Sequence, residues 1–181
     1  MPQLLLEEID FLHNGELLRR PVMWRERRRL LLDQLSSNHF RELCALRHPP
    51  SGCAEVINAA MVLAGKHRQP KDLTNWDRAR AALEPLKRQP PSAWMLRVEP
   101  AAIEPPLVER CGQWLEEPWF DVERMNQRSF ACGILVGWMS CALEEAEFFI
   151  EWPEARAAYD ELQALRAVDA EIQRRRSSAL K

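Results

Sequence analysis

The chain has 181 residues, 46% of them apolar with seven Trp, and 25 Lys+Arg stand against 27 Asp+Glu for a formal charge of −2. That length suits one domain or a small head on a long helical hairpin. The apolar content excludes a wholly disordered chain, and the charge balance lacks the basic surplus of a general nucleic-acid or anionic-membrane binder.

No run of about eighteen uncharged apolar residues occurs, so no membrane span is expected. The opening MPQLLLEEIDFLHNGE carries acids where a signal peptide needs a basic region and an apolar core. Five cysteines without regular spacing suit a reducing compartment better than a disulfide framework. The expectation is a soluble, intracellular protein.

Leu, Ala, Glu and Arg dominate, glycine is scarce and alternating β-branched runs are absent, which is helical composition. The prolines cluster between Pro49 and Pro118, whereas 22–47 and 121–152 have none. Because proline removes a donor and clashes with the preceding turn, two long helices are expected to flank a head of short helices and loops.

In chain order, residues 1–20 have no assigned role. The first long helix is predicted to open at Pro21, a good first-turn residue, and to end before Pro49-Pro50. Trp24, Leu31, Leu35, Leu43 and Leu46 lie close to one of its faces, with Phe40 beside them. Next comes a short buried helix in AEVINAAMVLA, with Gly65 as its C-cap. Asn75 is predicted to cap a helix over Trp76–Leu86, residues 87–106 to form loops, and Pro106–Leu115 to form another short helix leaving through Glu117-Pro118. The second long helix is predicted from an N-cap at Asp121, with a kink or restart at Pro153. Leu143, Ala146, Ile150, Ala155, Ala158, Leu162, Leu165, Val168 and Ile172 give it an apolar stripe at mixed three- and four-residue spacing, which suits pairing with another helix.

No phosphate-cradling glycine motif, nucleophile elbow or zincin motif is present. His39, Cys44, His48 and Cys53 supply four zinc-type ligands within fifteen residues. Yet His39 and Cys44 are separated by about 140° around a helix, and Pro49-Pro50 precede Cys53. Buried thiols and histidines near a helix end account for the same letters, and no metal is expected. Glu144, Glu145, Glu147 and Glu151 read as a solvated flank rather than an acid–base site. The basic run Arg25, Arg27, Arg28 and Arg29 reads as the wet face of a helix, although such runs also hold phosphates or acidic protein surfaces.

The order of the pieces carries more than any one of them. FRELCALRHPP (40–50) leads into the short apolar helix ending at Gly65, and Asn75-Trp76 opens the next. Glu117-Pro118-Trp119-Phe120-Asp121 then precedes Asn126-Gln127-Arg128-Ser129-Phe130-Ala131-Cys132-Gly133 and Trp138. Over about residues 35–170 this resembles the stalk and microtubule-binding tip of dynein heavy chains. There a coiled-coil helix ends in a PP run, a buried helix ends in LLG, and a W helix follows. An NP.F turn then leads into an S.A…L..W helix that returns as coiled coil.

The resemblance implies an all-α fold, a small helical-bundle head on an antiparallel coiled-coil stalk. Residues 21–48 would be the first stalk helix, 49–138 the microtubule-binding-domain-like head and 139–181 the returning stalk helix. Pro49 and Pro50 would mark the stalk–head junction. Trp138, Phe130 and Met61 would pack the head's core, with Trp76 and Leu83 closing it from the side. The function implied is a non-catalytic stalk tip that docks on tubulin, its affinity set by coiled-coil register, while the parent chain would be an ATP-driven motor or a relative of one. No cofactor, nucleic acid or membrane is implied. Partners would be the microtubule and, through the parent chain, other dynein-complex subunits, in the cytoplasmic cytoskeleton or the axoneme of a cilium or flagellum.

Tubulin's surface is acidic, so the binding residues implied are basic: Arg110, Arg124, Arg128, Lys66 and Arg68, together with the first head helix. Several positions that are commonly basic in the family are not so here, among them Ala54, Gln127 and Gly137. The alternative is therefore a dynein-like structural or protein-docking module that has lost microtubule affinity.

Overall fold

The computed structural model describes residues 15–66, 73–88 and 95–179, and among these no strand occurs. The protein is all-helical. Helices α1 (Gly15–Asp33), α2 (Ser37–Ala45), α3 (Cys53–Leu63), α4 (Trp76–Leu83), α5 (Pro105–Leu115), α6 (Val122–Arg128), α7 (Phe130–Glu151) and α8 (Pro153–Ala179) follow in chain order. Three 3₁₀ turns, Glu84–Lys87, Pro100–Ala102 and Pro118–Phe120, lie between them. Arg68 and residues 1–14 of the N-terminal segment fall outside the described residues.

Both long helices depart from expectation. The first does not open at Pro21, which lies buried inside α1, and it does not run unbroken to Pro49. It stops at Asp33, and the chain restarts at an extended Ser36 whose N–H donates to His39 Nδ1 at 3.1 Å. The capping-box contacts of Ser36 favour a new helix start at this point. The second is interrupted twice. Asp121 caps only the short α6, accepting from the Arg124 N–H at 2.7 Å, and extended Ser129 separates it from α7. Pro153 then restarts the chain as α8, the break expected there.

The local signals between them hold. Gly65 adopts φ +67°, with its N–H on Val62 O and the Lys66 N–H on Met61 O, both at 2.9 Å, the paired bonds of a left-handed C-terminal cap. Asn75 Oδ1 accepts the Arg78 N–H at 2.9 Å, and the helix it caps passes into a 3₁₀ turn before Leu86.

The described residues fall into two compact units, one within 24–147 and the other drawn from 15–23 and 148–179. The larger therefore takes in the second half of α1, α2 and α7 as far as Glu147. At its centre is α3, which hides every residue but Glu55. Around it Phe40, Leu83, Met95, Met125, Leu135, Trp138 and Met139 are fully buried, and Trp76 packs half-buried at the side. Phe130 is not part of this core. It is 45% exposed, because the helix start at Ser129 turns it outward, against the ring of His39 at 5.4 Å.

Within the larger unit α1 and α7 run antiparallel. Trp24 Nε1 donates to Glu144 Oε2 at 2.8 Å, and Leu31 lies 3.4 Å from where a Cβ on Gly137 would stand. Seven residues forward on one helix match seven back on the other. Arg28, between these contacts, and Glu145, next to Glu144, are both buried, so neither the basic run nor the acidic cluster is wholly a wet face.

In the smaller unit Leu18, Phe148, Phe149, Ala155, Tyr159 and Leu162 are buried, and Arg20 lies 5.9 Å from the centroid of the Phe148 ring. Phe149 meets Tyr159 at 5.2 Å and Phe148 stacks on Trp152 at 6.5 Å. The stripe expected on the second long helix holds at Ala155 and Leu162, but Ile150 and Val168 are exposed.

Candidate protein-docking surface

The strongest structured feature near the predicted basic residues is the turn that joins Pro49-Pro50 to α3. Gly52 there has φ +89°, a conformation that favours glycine. A Cβ on it would also lie 2.8 Å from Met125 Cε and 3.1 Å from Trp119 Cβ. The turn is thus pressed against α6 and the Trp119 segment. Arg128, the last residue of α6, clasps it: Nη1 donates to Ser51 O at 3.0 Å, and the guanidinium lies 5.8 Å from the Trp119 ring centroid. Beside this clasp is an open notch of about 270 Å³ that includes His39, Glu42, Leu46, Pro50, Arg128 and Phe130 in its lining. Leu46 and Phe130 are 37% and 45% exposed, so the notch offers apolar surface between an acid and a base.

The structure therefore brings Arg128 and Pro50 together and places Arg124 four residues away on the same short helix. Arg124 is exposed, but Asp121 and Glu123 are exposed beside it. Arg110 is exposed on α5 and Lys66 behind α3, and neither lines the notch. The first head helix, expected to face tubulin, is instead buried, with Ala54 at 5% exposure. Its composition explains this, since a helix apolar all round belongs inside. The surface around α6 is consequently mixed in charge rather than a basic face.

Three of the four zinc-type side chains are engaged separately, and His48 is exposed. His39 accepts from the Ser36 N–H, and the Cys44 thiol donates to Arg80 O at 3.9 Å. A hydrogen bond from Cys132 pulls the Cys53 thiol below its ordinary value, while the same pairing and burial push Cys132 up. Among the described residues no group of three or more His, Cys, Asp or Glu gathers as metal ligands would. No described helix is long and apolar enough to cross a membrane.

Sequence reasoning missed the Arg28–Glu145 pair. Arg28 Nη2 donates to Glu145 Oε2 at 2.7 Å and Nη1 to Val98 O at 3.1 Å, with side-chain exposures of 3% and 0% for the two residues. Burial pushes the Glu145 carboxyl up to about 7, against the opposing pull of Arg28. A usable signal was present. Arg28 stands four residues after Trp24 and four before Leu32, and Glu145 three after Ala142 and four before Phe149, so each occupies a stripe position.

No family model and no curated protein matches this chain.

Proposed function

We propose that the chain is a non-catalytic protein-docking module of the dynein stalk-tip kind, a helical head on an antiparallel coiled coil whose expected track is the microtubule. The observation that carries this reading is the agreement between motif order and structural role. Pro49-Pro50 fall at a break between helices, Gly65 closes a buried helix, Asn75 caps the next, the Glu117–Asp121 turn leads into α6, and Trp138 lies in the core of the helix that returns. The antiparallel contacts of α1 with α7 support the stalk in the part where the two helices meet. On this reading α6 and the notch beside it form the docking face, and register in the coiled coil sets its affinity.

A second reading keeps the fold and removes the tubulin affinity, leaving a structural or protein-docking element of an axoneme or the cytoplasmic cytoskeleton. The mixed charge around α6 favours it. Arg128 is held by Ser51 and Trp119, Arg124 directly follows Glu123 and lies three residues after Asp121, and α3 offers only a half-exposed Glu55. Tubulin's acidic surface would meet little net positive charge there.

Co-sedimentation with taxol-stabilised microtubules at low and moderate salt separates the two. Salt-sensitive binding that Arg124→Glu weakens, with helical content unchanged, supports the tubulin face. Absence of binding at low salt by the folded chain rejects it and leaves the second reading.

A further inference from the structure

Within the larger unit, one polar cluster joins three segments that the chain separates widely. Arg28 on α1 reaches Glu145 on α7 at 2.7 Å and the Val98 carbonyl at 3.1 Å, and both side chains are withdrawn from water. Arg28 Nε and Glu145 Oε1 are buried with no hydrogen-bond partner among the described residues. Such a pair contributes little net stability, because desolvation of two charges offsets their attraction. Its best-attested use is to specify one arrangement among several. Only one alignment of α1 and α7 lets Arg28 reach both acceptors. A slide of one helical turn, about 5.4 Å, would separate the pair and leave two buried charges unmatched.

We propose that Arg28, Glu145 and the Val98 carbonyl form a proton-sensitive register pin, closed when Glu145 is ionised and releasable when it is protonated. In the released state Glu145 stays buried without Arg28 beside it, so its carboxyl holds a proton there more tightly than in the pinned state and protonation favours release. Only Arg28 then needs a new partner, and its long side chain can carry the guanidinium to water. The groups that bear on Glu145 are Arg28 and Arg25 on α1 and Glu99 beyond Val98, while Glu144 and Cys141 flank it on α7. Arg25 and Arg28 favour the ionised form; Glu99 and burial oppose it. That balance sets the carboxyl to change state near neutral pH, where an ordinary glutamate would not. The pin concerns the larger unit alone and does not depend on what the chain docks to.

Amide hydrogen exchange on the full chain tests it, read at pH 6 and pH 8 with times corrected for the intrinsic rate. The expected result is about a tenfold loss of protection at pH 6 over residues 24–33 and 95–103, with α3 unchanged. Glu145→Gln keeps the size and an acceptor oxygen but cannot ionise, so those segments should exchange at the pH 6 level at both values. A paired Arg28→Met/Glu145→Leu variant, which removes both charges at similar volume, should show no pH dependence either. Equal wild-type protection at both pH values overturns the proposal. So does a pH response that survives in Glu145→Gln, since it would then belong to another group.

Discussion

Helices α3 and α6 are both short, both lie within the stretch that resembles a dynein stalk tip, and both were expected to face a partner. They have opposite fates. All of α3 but Glu55 is buried, whereas α6 buries only Met125. The difference lies in composition. CAEVINAAMVL offers water almost nothing, while VERMNQR offers one apolar anchor among charges and amides. A resemblance transfers the positions of elements more securely than the faces they expose, because a handful of substitutions decides which side of a helix can be wet. On the proposed reading the docking burden shifts from α3 to α6 and the notch beside it.

The largest expected effect breaks the buried half of that comparison. Met61, in the second half of α3, is 1% exposed. Met61→Ala should cost about 2–5 kcal/mol of unfolding free energy by urea melt, from lost transfer and a residual cavity. A cost under about 1 kcal/mol would mean that α3 is not the centre of the core.

Burial of charge provides the intermediate case. In the unfolded chain the Glu145 carboxyl titrates near its ordinary 4.5, and in the fold near about 7. The unfolded chain therefore releases its proton first, and stability falls as pH rises between those values, by up to roughly 3 kcal/mol. Above about 7 both states are ionised and the loss is complete. Urea melts at pH 5 and pH 8 should show this fall in the wild type relative to Glu145→Gln. Parallel behaviour of the two proteins would refute the shift.

Asn58 is the polar exception on α3. It is fully buried, and its Nδ2 donates to Leu73 O at 2.7 Å and Asn75 O at 3.0 Å, fastening the start of α4 to the core. Asn58→Ala would take the donor from Leu73 O and leave Asn75 O with the Ala79 N–H alone, at about 1–3 kcal/mol. Faster exchange in the first turn of α4 than in α7 would mark the loss as local to that fastening; equal change in both would assign it to the core as a whole.

What could be read in advance divides along the same line. Punctuation with a backbone cause was legible: Gly65 needed a positive φ, Asn75 had a side chain to cap with, and Pro49, Pro50 and Pro153 could not continue a helix. Breaks made by serine were not, because Ser36 and Ser129 end nothing by themselves and act only where the flanking helices are packed. The outward turn of Phe130 follows from Ser129 and was hidden with it. Arg28 and Glu145 looked wet among charged neighbours. Only the antiparallel approach of α1 to α7 makes them partners, and that is a tertiary fact. Of the basic residues expected at the candidate site, only Arg128 lines the notch, and that it is taken up by Ser51 and Trp119 required the fold of the Gly52 turn.

The smallest effect bears most directly on α6. Arg124 is the third residue of that helix, where the free backbone N–H groups and the helix dipole favour an acid over a base. Its own N–H is already held by Asp121, so the side chain contributes nothing to the cap. Arg124→Glu should therefore leave stability unchanged or raise it by about 0.3–1 kcal/mol, while reversing an exposed positive charge on the helix. Any loss of partner binding in this variant then belongs to the surface and not to the fold. A loss of stability above about 1 kcal/mol would instead show that Arg124 is held by contacts that make α6, like α3, part of the core.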